Sequence, residues 1–198
     1  MNGLTTTSRA PKSTAQAGGK GGSETLSEIW RALETLTDPE IPVVSLREMG
    51  ILRDVRGDAL HGFEVVITPT YSGCPAMEQI HDDVLATIRQ LGHKASVVTQ
   101  LAPAWTTDWM TAEAHEKLRA YGIAPPLACA TSSAHANASE SKTHVLTFAK
   151  RTAANQNIAC PQCTSANTTE ISHFGSTACK ALYKCLACLE TFDYFKPY

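Results

Sequence analysis

Leu26, Ile29, Trp30, Leu33 and Leu36 recur three or four residues apart with polar residues between them. That spacing puts one apolar stripe along an α-helix. Thr25 and Glu28 have the spacing of a capping box at its start, with structure beginning near Ser23, and Pro39 ends the helix. Short apolar runs at Ile51–Val55 and Phe63–Thr68, separated by the turn-like Arg56-Gly57-Asp58, predict an antiparallel hairpin closed by Pro69. Met77, Ile80, Val84, Leu85, Ile88 and Leu91 form a second helical stripe. Pro75 suits the first position of that helix and Gly92 its C-terminal cap. Ser96–Leu101 reads as a third strand and Thr111–Tyr121 as a third helix, closed by Gly122 and stopped by Pro125-Pro126. The order helix, two strands, helix, strand, helix predicts an α+β domain with helices packed on one small sheet.

The rest of the chain has another character. Residues 1–22 are rich in Thr, Ser, Gly and Lys with almost no large apolar group, which predicts a disordered tail. Residues 23–126 carry the α+β pattern, residues 127–157 read as an Ala/Ser/Thr/Asn-rich linker with a short strand at Val145–Phe148, and residues 158–198 form a small module. Neither an apolar run long enough to span a bilayer nor a secretory leader is evident. Together with seven cysteines mostly at metal-type spacing, this predicts a cytoplasmic protein with no membrane contact. Residues 24–126 hold 15 acidic against 8 basic side chains, and in residues 158–198 Lys180, Lys184 and Lys196 cancel Glu170, Glu190 and Asp193. Nucleic-acid binding needs a basic face to release counterions, and neither region offers one.

The chemistry of the module lies in two Cys-x-x-Cys pairs, Cys160-Pro-Gln-Cys163 and Cys185-Leu-Ala-Cys188. Each puts two sulfurs on one tight turn, and two such turns together make a tetrahedral four-thiolate cage suited to structural Zn²⁺. Spacing leaves iron in a rubredoxin-like cage and a disulfide pairing open. A knuckle substitution is expected to unfold residues from about 158 onward while the preceding domain keeps its own melting transition. Cys179, six residues before the second pair, falls outside the four-ligand cage, and Cys129 lies in the linker.

Cys74 is the other candidate. It precedes Pro75 at the expected N-cap of the second helix, where unsatisfied amides and the helix dipole favour an anion, so its thiol pKa is expected to fall. Gly73 leaves room beside it. An inert buried cysteine is an equal reading. His81, two turns along the same helix, is roughly 10 Å from it and cannot serve as a direct base. Asp38 and Glu40 flank Pro39; such a pair can bind a cation or do acid–base work, and more often caps a turn. Trp105 and Trp109 are expected to pack in the core.

At Asp38-Pro39-Glu40-Ile41-Pro42 and Thr68-Pro-Thr-Tyr-Ser-Gly-Cys74-Pro-Ala-Met77 the chain resembles the SufT-like iron–sulfur assembly domain family. Pro103-Ala-Trp105-Thr-Thr-Asp-Trp109, Tyr121-Gly-Ile-Ala-Pro-Pro126 and Phe174 through Cys188 are similar to the D-subunit family of the phenylacetyl-CoA 1,2-epoxidase system. The resemblance implies an accessory protein of aerobic phenylacetate degradation, not an enzyme, that helps install or maintain iron centres in the epoxidase or its reductase. It implies Cys74 as the functional thiol, Asp38 and Glu40 as its supporting loop, and Cys160, Cys163, Cys185 and Cys188 as ligands of a structural zinc. Cys179 belongs to the family-like stretch. Iron or an iron–sulfur cluster would be held transiently, completed by a second protomer of a homodimer or by the client subunit. Two other classes compete: a thiol-redox protein using Cys74 or a knuckle pair, and a zinc-ribbon nucleic-acid-binding module.

Overall fold

The computed structural model describes residues 20–127 and 158–198. The expected tail up to residue 19, and the expected linker with Cys129 and Val145–Phe148, lie outside the described residues. Helix α1 spans Lys20–Leu33, so it begins ahead of Ser23 and runs through the expected capping box. Nothing in the described packing explains that extension through glycine and serine, which are poor helix formers. Ile29 and Leu33 are fully buried, with Leu26 and Trp30 packed beside them as the periodicity predicts, but the helix stops at Leu33, so Leu36 packs from the turn beyond it and the helix ends well short of Pro39.

Strands β1 (Leu52–Asp58) and β2 (Gly62–Ile67) form the antiparallel hairpin, with a register irregularity between Leu52 and Asp54; the expected turn residues Arg56-Gly57-Asp58 instead pair within β1, and the chain reverses at residues 59–61. Helix α2 (Ala76–Gln90) crosses back so that β3 (Ala95–Thr99) pairs parallel with β2, giving the sheet order β1-β2-β3. Ile80, Val84 and Ile88 of α2 meet Val55, Phe63, Val65 and Ile67 of the hairpin in one core. A short 3₁₀ turn, Thr107–Trp109, leads to α3 (Ala112–Ala120), whose N-cap Thr111 accepts from the amide of Ala114. That is the ordinary use of a threonine cap.

After α3 the chain leaves the first sheet. Ile123–Ala124 forms β4, which pairs parallel with β7 (Thr191–Phe195) of the C-terminal module. With β5 (Thr168–Ser172) and β6 (Lys180–Cys185) this makes a four-stranded sheet of order β4-β7-β6-β5. The module is therefore stitched to the first domain through β4. Ile123, Cys179 and Phe195 belong to the same buried cluster as α1, α2 and the hairpin. A smaller cluster of Ile158, Cys160, Ala181, Cys185, Phe192 and Tyr194 forms the module's own core. The fold is α+β: a small helix-covered sheet and a C-terminal four-cysteine β-ribbon.

Candidate functional site

Both knuckles turn inward at one end of the ribbon. The four sulfurs of Cys160, Cys163, Cys185 and Cys188 all lie within 4.8 Å of one another. Cys160 and Cys188 are 3.8 Å apart and Cys163 and Cys185 3.5 Å. A tetrahedral site with Zn–S bonds of about 2.3 Å sets its sulfurs about 3.8 Å apart, so this donor set fits zinc. None of the four is disulfide-bonded. The backbone prepares the charge distribution: the Cys188 amide, followed by that of Ala187, donates to Cys185 and holds its thiol down at about 6. Cys188 accepts from the Glu190 amide, yet burial and the neighbouring sulfurs push it up to about 12. Such a set ionises fully only when a cation replaces its protons.

A second constellation forms where the ribbon meets the first domain. Asp38 Oδ1 accepts from the amides of Glu40 at 2.8 Å and Ile41 at 3.0 Å, the turn-capping role. The side chain is only 7% exposed. Burial pushes its carboxyl above the ordinary value, outweighing the two amides and the nearby Lys180 charge, which pull it down. Burial also raises Glu40, and the Asp38 charge adds to it; Lys180 and a hydrogen bond with Thr177 oppose. Lys180 and Thr177 belong to the ribbon. Lys180 is itself buried, with its Nζ 3.7 Å from Asp193 Oδ2.

Cys74 lies just ahead of the start of α2, where the charges of Glu40 and Asp38 reach it. The cap residue is Pro75, already helical at φ −68° and ψ −23°, so Cys74 precedes the cap instead of occupying it. The expected lowering of its thiol pKa is corrected by the structure. Its sulfur does accept from the Ala76 amide, which favours the thiolate, but burial is the larger effect and Glu40 and Asp38 add to it, so the pKa rises. A helix start acts on a thiol locally, whereas burial is decided by the fold. At rest Cys74 is a neutral, half-buried thiol.

Two residues join the site that local spacing does not reveal. Tyr71 hydrogen-bonds Cys74 and is pushed up to about 12, first by burial and then by Cys74, Glu40 and Cys179. Cys179 is 4% exposed. Burial raises its thiol as well, a hydrogen bond from Thr177 opposes that, and Glu40 and Asp38 act on it as they act on Cys74. Thr177 Oγ1 lies 3.0 Å from its sulfur. The charges of Asp38 and Glu40 thus reach both Cys74 and Cys179 without the four forming a cage: among the described residues, the four ribbon thiols alone gather tightly enough to hold a metal as a set. Trp105 is buried as expected and donates its indole N–H to the Met49 carbonyl at 2.9 Å. Trp109 is half-buried under the guanidinium of Arg53, 3.6 Å from its ring centroid. Among the described residues no helix is long and apolar enough to cross a membrane.

Comparison with known proteins agrees with this division. Residues 26–98 match the iron–sulfur cluster assembly protein family, and residues 147–196 match the PaaD zinc beta ribbon domain. An Escherichia coli (strain K12) protein provisionally named as the D-subunit of 1,2-phenylacetyl-CoA epoxidase is 45% identical over 170 residues, covering 85% of this chain and 91% of its own length. An Fe-S protein maturation auxiliary factor of Porphyromonas gingivalis (strain ATCC BAA-308 / W83) is 33% identical over 93 residues, 46% of this chain and 88% of that protein. A crystal structure of a DUF59 domain of unknown function from Bacillus anthracis is 25% identical and covers 50% of this chain and 94% of that one, with a TM-score of 0.46. Shared identity of 45% across most of both lengths places the chain in the D-subunit family of phenylacetyl-CoA epoxidase, whose two parts here are an iron–sulfur-assembly-type domain and a zinc β-ribbon.

Proposed function

We propose that this protein is an accessory factor of aerobic phenylacetate degradation that assists assembly or upkeep of the iron centres of the phenylacetyl-CoA epoxidase complex. Cys74 is its working thiol, Asp38 and Glu40 support it, and the four ribbon cysteines hold a structural zinc. One observation supports the reading: a half-buried thiol feels the charges of two carboxylates in a domain of the iron–sulfur assembly type.

The chemistry follows from the resting state. Burial and the adjacent carboxylates keep Cys74 protonated, so it is a poor nucleophile and poorly suited to thiol-redox exchange. An incoming Fe²⁺ changes the balance. The cation takes the place of the thiol proton, which leaves to a neighbouring carboxylate or to water, and an Fe–S bond forms. The carboxylate charges that disfavoured the bare thiolate then favour the cation. An open site of soft sulfur and hard oxygen binds iron without enclosing it, which suits a cargo that must be handed on. Zinc, when bound, fixes the ribbon; the ribbon in turn carries Lys180 and Thr177 to the Asp38–Glu40 loop.

The test is iron in the client. The partner oxygenase and its reductase are purified from cells lacking this chain, and iron is counted in each. Iron-deficient partners, restored by the wild-type chain and not by Cys74→Ser, are expected. Full metallation without the chain refutes the assembly role.

A further inference from the structure

We propose that strand β3 is a dimerisation edge. It pairs antiparallel with β3 of a second copy of this chain, about a two-fold axis at Val97, and joins two three-stranded sheets into one of six strands.

The contrast between sheet edges carries the argument. A free edge offers unpaired amides and carbonyls to any extended chain, and proteins blunt it with charge, a bulge or shortness. Among the described residues the two sheets end on β1, β3, β4 and β5. β1 is charged at Arg53, Asp54, Arg56 and Asp58, and its register is broken between Leu52 and Asp54. β5 carries Glu170 and its own irregularity between Glu170 and Ser172. β4 is two residues long. β3 has none of these devices. Its five residues, Ala95-Ser-Val-Val-Thr99, pair with β2 in unbroken register and bear no charge. The uncharged run continues to Thr107, in a domain with 15 acidic against 8 basic side chains. Val98 and Leu101 stand 41% and 59% exposed within it.

The backbone selects the occupant. In a parallel ladder alternate residues turn both of their backbone groups to the same neighbour. The Phe63 amide donates to the Lys94 carbonyl, and the Gln100 amide to the Ile67 carbonyl, both at 2.8 Å. Ser96 and Val98 therefore face β2, while Ala95, Val97 and Thr99 turn their amides and carbonyls to the free edge. Those outward positions are symmetric about Val97. In a two-fold antiparallel pair Val97 exchanges hydrogen bonds with its own copy, and Ala95 exchanges them with the partner's Thr99 on either side. Such an interface sets each residue near the axis against its own copy, so any charge there meets itself. An uncharged edge in an acidic domain escapes that repulsion, whereas a client strand steered by charge finds nothing on β3 to steer it. Cys74 follows the C-terminal end of β2, and the two-fold sends those ends in opposite directions. The dimer thus holds its two Cys74 thiols apart.

The test is the mass of the full-length, zinc-loaded chain in solution. Sedimentation velocity across a range of concentrations is expected to show wild type passing from one chain mass to two. Two variants at exposed side chains leave the β2 ladder intact. Thr99→Pro removes an outward amide, and with it one hydrogen bond on each side of the axis. Val98→Lys sets a like charge diagonally across from its copy. Both should stay monomeric at concentrations where wild type is a dimer, with unchanged circular dichroism. Wild type that is monomeric throughout overturns the proposal. So does a dimer that both variants keep, which places the interface on another surface. Should either variant fail to fold, amide exchange of wild type decides the matter. In the dimer the amides of Ala95, Val97 and Thr99 should exchange as slowly as those of Ser96 and Val98, and faster on dilution. Fast exchange at those three amides whatever the concentration refutes the pairing. Protection that arises only when the epoxidase subunits are added to a monomer gives the edge to a client strand and refutes the second copy.

Discussion

Trp105 and Phe195 meet edge to face, with ring centroids 6.0 Å apart and planes inclined by 61°. This is the orientation that ring quadrupoles favour. Trp105 lies between β3 and α3, Phe195 closes the last ribbon strand, and both are buried. The ribbon's final strand is thus built into the core of the first domain. Phe195→Ala should cost about 3–5 kcal/mol, the range for emptying a packed aromatic site. Denaturant unfolding followed by far-ultraviolet circular dichroism and by tryptophan fluorescence should shift together. Loss of less than about 1 kcal/mol, well below that range, would show that the ring does not secure the joint.

The same joint changes what zinc should do. Spacing alone predicts that the ribbon melts independently, but Cys179 and Phe195 share the first domain's core. Protein purified without added metal should carry one zinc per chain. Chelation, or Cys185→Ser, should lower the melting temperature of the whole described fold, because metal binding energy is folding energy in so small a module. Elemental analysis and calorimetry check both parts. Freely titratable knuckle thiols in metal-free protein, with an unchanged melt, would dismiss the zinc cage.

What the sequence made legible was local. The stripes of α1 and α2 follow from side chains three and four residues apart, and the hairpin from two apolar runs around a turn. Each knuckle is legible because Cys-x-x-Cys encodes its own geometry. The pairing of Ile123–Ala124 with β7 was not, since two residues carry no period. Nor was the place of Cys179, whose neighbours Asp38, Glu40 and Tyr71 are more than 100 residues away in the chain. The sign of the Cys74 shift was misread for the same reason. The helix-start amide is visible in sequence; the burial that outweighs it is tertiary.

Asp38 gives a pH signature. Its carboxyl titrates above its ordinary value of 3.8 in the folded chain, because burial outweighs its amide donors. The folded state therefore holds that proton more tightly than the unfolded one. Its contribution to stability is full below the ordinary value and declines as pH rises through the raised one. Asp38→Asn keeps an oxygen for the amides of Glu40 and Ile41 and removes the buried charge. The variant's melting temperature relative to wild type should increase as pH rises through the acidic range, then level off. Melts from pH 4 to pH 7.5 check this. If wild type gains on the variant with rising pH, the carboxylate is stabilising as an anion and the direction is reversed.

Gly73 and Cys74 separate access from ligation. A Cβ at Gly73 meets only the Tyr71 ring, at 3.8 Å, an ordinary contact. Gly73→Val should therefore fold, with a stability change within about 1 kcal/mol, as for an exposed substitution, while placing bulk beside the Cys74 sulfur. Cys74→Ser should fold too, because its hydroxyl can accept from the Ala76 amide in place of the sulfur, again within about 1 kcal/mol. What serine cannot supply is a soft, ionisable ligand. Cells carrying Cys74→Ser alone should grow poorly on phenylacetate and contain an iron-deficient client. Gly73→Val should show slowed iron loading of the purified chain, with the final amount of bound iron unchanged. Normal growth and a fully metallated client in the Cys74→Ser cells would reduce Cys74 to a structural residue. Equal loss of bound iron in both variants would instead show that Gly73 shapes the ligand geometry itself and not merely the approach to it.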